Sequence, residues 1–329
     1  MFVVTGGAGF IGSNIVAALE ERYPEEKIVV CDRLRDGVKW RNISKRDLFD
    51  IVHPDALLEF LVEYKDDIKA IFHMGAISAT TETDADKILE NNFHLSTLLW
   101  DWCTANQIRY IYASSAATYG DGGHGFNDFE DRKNLSKLLP LNAYGWSKHL
   151  FDRTVARVME EQSPCPPQWA GLKFFNVYGP NEYHKGGQKS VVAHVYPQAA
   201  TDDLCKLFKS HHPDYEDGGQ LRDFVWVGDV VDVILWLYEH EKVSGLFNVG
   251  TGTARSFKDL ACAVYAALDK EPMIQYVPTP EEIRDKYQYF TEANMGKLRQ
   301  AGYDKDFTSL EEGVRIYVQD FLSQDDPFK

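Results

Sequence analysis

The turn that joins the first apolar run to the first helical stretch constrains the fold of this chain more than any other feature. It reads Thr5-Gly6-Gly7-Ala8-Gly9-Phe10-Ile11-Gly12, with Gly6, Gly9 and Gly12 three residues apart. The first glycine permits a tight turn, the second lets backbone approach a pyrophosphate, and the third lets the helix pack on the strand. Asp32 ends the next strand-like run, where a carboxylate can hold a ribose hydroxyl. This combination predicts a dinucleotide-binding βαβ unit.

Short β-branched runs alternate with longer amphipathic stretches in the first half of the chain. This order predicts a parallel sheet with helices on both faces, which is the doubly wound α/β (Rossmann) fold. Strands are predicted at Phe2–Thr5, Ile28–Cys31, Lys69–His73, Arg109–Ala113 and Gly171–Phe175. Helices are predicted at Ile11–Arg22, Asp55–Tyr64, Lys87–Ala105 and Ala143–Glu161.

The alternation loosens after Asn176, where Gly, Pro, His and Lys become common. Long irregular segments in a compact enzyme are typical of binding loops. We therefore predict a dinucleotide-binding Rossmann domain made of residues 1–175 with 222–248 and 286–298. A second, smaller α/β substrate domain would take residues 176–221 with 249–285 and 299–329.

Composition excludes several classes of function. The net charge of -15 argues against a nucleic-acid surface, and the absence of a long apolar run argues against a membrane span. The first residues lack a basic leader and run directly into the glycine turn, so no signal peptide is expected. The five cysteines are scattered and no Cys, Asp or Glu is spaced to complete a site with His211 and His212. We expect a cytoplasmic protein without disulfides and without a metal.

A serine, a tyrosine and a lysine form the candidate catalytic set. Ser115 follows the fourth predicted strand, and Tyr144 and Lys148 lie four residues apart on one face of the helix that begins near Ala143. An adjacent ammonium would stabilise a phenolate and lower the pKa of Tyr144. The phenol could then take a proton from a substrate hydroxyl while hydride leaves the carbon, and Ser115 would hydrogen-bond the same oxygen.

Together these motifs resemble the extended short-chain dehydrogenase/reductase family, which includes the nicotinamide-dependent epimerases and dehydratases, along nearly the whole chain. Five further segments narrow the resemblance to members that act on ADP-heptose, namely Ser115–Gly120, Phe174–Pro180, His184–Gly186, Arg222–Val225 and Tyr287–Thr291. The resemblance implies inversion of C6″ of ADP-D-glycero-D-manno-heptose to the L-glycero form through a 6-ketone, in lipopolysaccharide precursor synthesis. It also implies a homo-oligomer, such as a pentamer.

The resemblance further implies a role for individual residues. Tyr144 and Lys185 would be two bases on opposite faces of C6″, supported by Ser115 and Lys148. The cofactor contacts would be Gly6, Gly9, Phe10, Ile11, Gly12, Asp32, Arg33, Lys39, Met74, Gly75, Ala76, Ile77, Ser78, Asn91, Tyr144, Lys148, Val177 and Lys185. The substrate contacts would be Ser78, Ser115, Asn176, Gly187, His194, Phe208, Arg222 and Tyr287, with the planar fork of Arg222 on the diphosphate.

The form of the cofactor depends on residues after the second strand. Asp32 favours the free 2′-hydroxyl of NAD, whereas Arg33 and Lys39 would favour the 2′-phosphate of NADP. We expect NADP and keep NAD as the alternative.

Three features depart from the family pattern. His53-Pro54 stands where the family has a basic residue, and Gly187 stands where a substrate-contacting serine is typical. The segment Lys209–Leu221 is longer than the pattern. The nucleotide pocket could therefore differ, and the sugar or base could differ with it.

Three other functions are possible with the same motifs. A dehydratase needs acidic side chains beside the active-site serine, where Ala116 and Ala117 stand. A nucleotide-sugar 4-epimerase rotates the whole sugar and would not need Lys185. A non-catalytic dinucleotide-binding sensor is disfavoured by the complete serine, tyrosine and lysine set.

Overall fold

A seven-stranded parallel sheet forms the framework of the computed structural model, which describes residues 1–201, 203–284 and 288–329. Its strands are β1 (Phe2–Thr5), β2 (Ile28–Cys31), β3 (Asp50–Val52), β4 (Ala70–His73), β5 (Arg109–Ser115), β6 (Trp169–Phe174) and β11 (Gly245–Val249). They are arranged in the order β11-β6-β5-β4-β1-β2-β3. The chain reverses its direction of travel across the sheet between β1 and β4, and such a switch point opens a crevice at the carboxyl ends of the strands. The predicted α/β fold is confirmed.

Twelve α-helices within the described residues pack on the central sheet and in the part of the molecule beyond it. They are α1 (Phe10–Arg22), α2 (Leu57–Glu63), α3 (Ala85–Ile88), α4 (Leu95–Asn106), α5 (Arg132–Leu135), α6 (Ala143–Glu160), α7 (Val191–Ala200), α8 (Val227–Glu239), α9 (Phe257–Ala267), α10 (Glu281–Arg284), α11 (Gly296–Gln300) and α12 (Leu310–Tyr317). Helix α1 packs against α8, and α4 and α6 pack against β5. No helix within the described ranges combines the length and apolar character needed to cross a membrane.

Three pairs of short strands lie outside the central sheet. They are β7 (Asn176–Tyr178) with β10 (Phe224–Trp226), β8 (Cys205–Phe208) with β13 (Ile274–Val277), and β9 (Leu221–Arg222) with β12 (Arg255–Ser256). The first two pairs are parallel and the third is antiparallel.

The predicted elements match the structure best where the burial is complete. Every residue of β1, β2 and β4 is buried, so their β-branched and aromatic runs carry a clear strand signal. The long predicted helix Lys87–Ala105 is instead divided into α3, a π-helical segment at Leu89–His94, and α4. Two strands of the central sheet, β3 and β11, were not predicted. Asp50 and Ile51 of β3 are exposed, and an edge strand of three residues lacks a continuous apolar run.

The apolar core falls into two clusters. The first surrounds the central sheet and includes β11, α8 and the stretch from Ala293 to Leu298. The second is formed by residues of α7, α9 and α12 with Tyr178 and Phe224. Tyr303 belongs to the first cluster, although the sequence placed it in the substrate domain, because its ring packs edge-on against Trp236. The division into two domains stays a prediction.

Candidate active site

A cleft of about 1140 Å³ lies at the carboxyl ends of the central strands. Residues that directly follow β1, β2, β4 and β6 line it, as does the end of β5, so the topology of the sheet places it at the switch point. Most of the predicted site residues line this cleft, namely Gly6, Gly9, Phe10, Ile11, Gly12, Asp32, Arg33, Lys39, Met74, Gly75, Ala76, Ile77, Ser78, Asn91, Ser115, Tyr144, Lys148, Asn176, Val177, Lys185 and Gly187.

The glycine turn forms the floor of the cleft. Gly6 has φ of +64°, and a Cβ at this position would lie 2.7 Å from the backbone of Gly75. A Cβ at Gly12 would lie 2.2 Å from the carbonyl oxygen of Gly6, so α1 can approach the turn only without a side chain there. Gly9 caps α1 without a side chain, which leaves the first N–H groups of the helix available to an anion. The turn therefore fits a diphosphate.

Asp32 is the centre of a charged cluster at the end of β2. Its carboxylate accepts hydrogen bonds from the backbone N–H of Ala8 at 2.9 Å and from the ammonium of Lys39 at 2.5 Å. The guanidinium of Arg33 donates to Asn91 at 3.2 Å and to Asp55 at 2.6 Å. Carboxylate and basic groups thus lie side by side at the position where the sequence predicts the ribose.

Tyr144 lies in the first turn of α6. The side chain of Asn142 caps this helix by accepting a hydrogen bond from the N–H of Gly145 at 2.8 Å, which fixes where the turn begins. Burial raises the pKa of Tyr144 above its usual value of 10.0, and the hydrogen bond with Ser115 opposes this rise. The expected lowering of this pKa by Lys148 is therefore not seen. The reason is that burial disfavours the phenolate and the carboxylate of Asp152 adds to the effect.

Lys148 lies one helical turn after Tyr144 and is only 3% exposed. Burial lowers the pKa of its ammonium to about 8, against the opposing influence of Asp152. Its Nζ atom has no hydrogen-bond partner within the described part of the chain. A buried cation without a partner is costly, so this side chain fits a bound ligand that supplies a hydroxyl oxygen.

Lys185 enters the same cleft from a different part of the chain. It belongs to the 3-10 helical segment Tyr183–Gln188, is half-buried, and holds its ammonium 5.2 Å from the centre of the Phe10 ring. Burial lowers the pKa of Lys185, and the carboxylate of Glu182 opposes this effect. Glu182 is itself buried and accepts hydrogen bonds from Ser190 and Tyr317. The cleft is therefore lined by two titratable side chains, Tyr144 and Lys185, from separate elements.

Some predicted substrate residues do not line the cleft. His194 shares a hydrogen bond of 3.3 Å with the carbonyl oxygen of Gly187, and Phe208 ends β8. The guanidinium of Arg222 donates to the carbonyl oxygen of Leu221 at 2.8 Å and lies 5.6 Å from the ring of Phe257, which does line the cleft. Tyr287 lies outside the described residues. The roles of these four residues stay predictions, as do those of the residues that line the cleft.

The cleft also contains residues that sequence reasoning missed. They include Thr80, Thr81, Phe174, Phe175, His184 and Phe257. Burial lowers the pKa of His184 to about 4, and the nearby Lys39 and Lys185 add to this effect. The segment His184–Gly186 was singled out from the sequence, but only Lys185 in it was given a role. Among the described residues, no group of His, Cys, Asp and Glu side chains could hold a metal ion.

Lys173 and Asp152 form a buried ion pair next to the end of β5. The ammonium of Lys173 donates to Asp152 at 2.6 Å and to the hydroxyl of Thr118 at 2.8 Å, and both charged side chains are fully buried. Ser114 donates to the same carboxylate oxygen at 2.7 Å. The pair therefore links α6 and β6 to the end of β5.

We expect Lys173→Met to lower the free energy of unfolding by about 3–5 kcal/mol, because it leaves the Asp152 carboxylate buried without its cation. The double variant Asp152→Leu/Lys173→Met should recover much of this loss, since it removes both charges. Urea denaturation measures both effects. The single variant Asp152→Leu completes the comparison. If the double variant loses as much free energy of unfolding as the two single variants lose in total, the two charges are not coupled.

Comparisons with known proteins show that the chain is similar to nucleotide-sugar epimerases and related enzymes. A model of the NAD dependent epimerase/dehydratase family matches residues 2–250. A protein of Fusobacterium nucleatum is 49% identical and one of Nitratidesulfovibrio vulgaris strain DP4 is 50% identical, and each alignment covers 100% of both chains. Both are named ADP-L-glycero-D-manno-heptose-6-epimerase.

Solved structures show the same fold. The crystal structure of Helicobacter pylori ADP-L-glycero-D-manno-heptose-6-epimerase has a TM-score of 0.78 and 26% identity, covering 98% of this chain and 96% of that one. Thermus thermophilus UDP-glucose 4-epimerase in complex with NAD has a TM-score of 0.73 and 24% identity, covering 96% and 97%.

Proposed function

The chain belongs to the NAD-dependent epimerase/dehydratase family, and from this premise we propose that it inverts C6″ of ADP-D-glycero-D-manno-heptose to the L-glycero form. The names of the relatives that are about half identical along the whole chain support this substrate. The observation that carries the proposal is that Tyr144 and Lys185 line one cleft from two separate elements. Two such groups suit a reaction in which the oxygen on C6″ loses a proton on one side of the carbon and gains one on the other.

The residues of the cleft fit a nicotinamide dinucleotide. The free N–H groups at the start of α1 would bind its diphosphate, and the unpartnered ammonium of Lys148 would donate to a ribose hydroxyl. When bound, this cofactor accepts a hydride from the substrate carbon and returns it. Asp32 and its neighbours would hold the second ribose.

The side chains of the cleft would perform the proton transfers. One of Tyr144 and Lys185 takes the proton of the 6″-hydroxyl as the hydrogen on C6″ leaves as hydride, which gives a 6-ketone. The ketone would rotate about the C5″–C6″ bond, so that its other face would be presented for the return of the hydride. The second group then gives a proton to the new alkoxide, and Ser115 would hydrogen-bond the oxygen in the orientation that faces Tyr144.

This function is tested by incubating the purified protein with ADP-D-glycero-D-manno-heptose and following the configuration at C6″ by NMR. We expect an equilibrium mixture of the two epimers, and no change in UDP-glucose under the same conditions. Turnover of UDP-glucose without turnover of the heptose would favour a 4-epimerase.

NADP is the form of the cofactor that we propose for this cleft. Arg33 and Lys39 line it next to Asp32, and the ammonium of Lys39 neutralises that carboxylate. Charge-assisted hydrogen bonds from these two side chains would hold a 2′-phosphate.

We expect the double variant Arg33→Ala/Lys39→Ala to raise the Kd for NADP by at least about tenfold while changing the Kd for NAD much less, because only NADP loses charge-assisted contacts. Calorimetric titration of the cofactor-free protein measures both constants. Lys137→Ala, which removes an exposed charge outside the cleft, is the matched control. Equal changes for the two cofactors would contradict the assignment.

Three further expectations accompany this function. They are a homo-oligomer such as a pentamer, a cytoplasmic location, and a role in lipopolysaccharide precursor synthesis. The names of the relatives support the last of these. Light scattering of the purified protein measures the oligomeric state.

A further inference from the structure

The segment Asp326–Lys329, called the C-terminal strap below, lies against a segment that carries a predicted cofactor residue. The 3-10 helical segment Val38–Ile43 contains Lys39 and is followed by Lys45. The ammonium of Lys45 donates to the carbonyl oxygen of Phe328 at 2.6 Å and lies 3.0 Å from the carboxylate of Asp326. The guanidinium of Arg41 lies over the Phe328 ring at 4.3 Å. Cationic and backbone contacts therefore attach the strap to this side of the cleft.

The same strap contacts the segment that carries Lys185. The hydroxyl of Tyr183 donates to the carbonyl oxygen of Pro327 at 2.8 Å, and its ring packs edge-on against Phe328 at 5.1 Å. The backbone N–H of Lys329 donates to the side chain of Asn181 at 3.0 Å. Phe328 is only 6% exposed, so its ring is enclosed between Arg41 and Tyr183.

A layer of amide side chains connects these contacts to the glycine turn. Asn42 donates to the carbonyl oxygens of Ala8 at 2.9 Å and of Asn181 at 3.0 Å. Asn181 donates to the hydroxyl of Ser13 in α1 at 3.0 Å, and Asn42 contacts His184 at 3.2 Å. The strap thus covers the outer side of a continuous network that runs from the glycine turn to the residue before Lys185.

We infer that Phe328 is a positioning residue, which holds the segment Tyr183–Gln188, and with it Lys185, against the glycine turn. Besides the strap, Asn42 and His194 hold the segment by one hydrogen bond each, whereas the two glycines that follow Lys185 are exposed. A proton-transfer group that is displaced by a small distance loses much of its effect, so the anchor contributes to the rate without touching the substrate. This inference rests on the proposed role of Lys185.

The test compares Phe328→Ala with Leu139→Ala, which truncates a side chain that is 70% exposed and lies outside the cleft. We expect the backbone amides of residues 183–188 and 38–43 to exchange hydrogen at least about tenfold faster in Phe328→Ala, with α6 and the central sheet unchanged. The kcat for epimerisation should fall by about tenfold or more while NADP remains bound. Phe328→Tyr keeps the ring and should restore both values, and Leu139→Ala should change neither.

Two outcomes would overturn the inference. One is unchanged exchange at residues 183–188 in Phe328→Ala, and the other is a normal kcat despite faster exchange. Should Phe328→Ala unfold, Tyr183→Phe keeps the ring, removes the hydroxyl contacts with Pro327 and Tyr317, and should accelerate exchange in the same two segments. The exchange experiment does not require turnover, so a protein that fails to epimerise the heptose would refute the proposed function separately from the anchoring role.

Discussion

Replacing Tyr144 with Phe is expected to lower the rate of epimerisation by about 10²–10⁴-fold, because the variant loses the phenol that exchanges a proton with the substrate oxygen. The ring remains, so the cofactor should stay bound and the fold should be unchanged. The steady-state rate measures the loss of activity, and the nicotinamide content of the same sample shows whether the cofactor stays bound. Tyr23→Phe is the matched control, since Tyr23 lies at the end of α1 and hydrogen-bonds Glu239.

The pKa of Tyr144 gives this prediction a second readout. Because burial raises that pKa above 10.0, the phenolate fraction rises with pH throughout the range from 7 to 10. Steps in which Tyr144 acts as the base should therefore become faster as pH rises, and Tyr144→Phe should lose this dependence. A fall in rate of less than about tenfold would show that Tyr144 is not the principal acid and base.

Replacing Lys185 with Met is expected to impair epimerisation by a comparable factor, because inversion needs a proton-transfer group on each face of C6″. Methionine keeps much of the length and apolar character of the side chain, so its packing near Phe10 should persist. The measurement is the rate of conversion of each epimer, followed separately by NMR. Lys206→Met, which changes an exposed lysine in β8, is the control.

The two-base scheme has a clear alternative. If Lys185→Met epimerises at the normal rate, one group must serve both faces, as in an enzyme that rotates the whole sugar. If Lys185→Met fails to retain cofactor, its side chain contributes to binding, and the rate must then be measured at saturating NADP.

Local signals in the sequence predict the glycine turn and the pair Tyr144 and Lys148 well. The glycine spacing requires close backbone contacts, and the structure shows them at Gly6 and Gly12. The four-residue spacing of Tyr144 and Lys148 places both side chains in the same cleft because one helical turn separates them. These features depend on neighbours that are close in sequence or on buried strands with strong apolar runs.

Features that depend on distant contacts were not predictable. The pKa of Tyr144 depends on burial and on Asp152, which only the folded chain brings together. The strap reaches Lys45 across 283 residues of sequence, and no local pattern marks this contact. The contact of Arg222 with the ring of Phe257 likewise joins residues that are distant in sequence. Tertiary packing decides all three.

We expect the hydrogen on C6″ to leave and return as a hydride within the one cleft. This expectation is tested most directly by placing deuterium at C6″ of ADP-D-glycero-D-manno-heptose, running the reaction in ordinary water, and analysing the L-glycero product by NMR and mass spectrometry. Transient oxidation predicts that the inverted product keeps its deuterium at C6″. Replacement of that deuterium by hydrogen from the solvent would contradict the account.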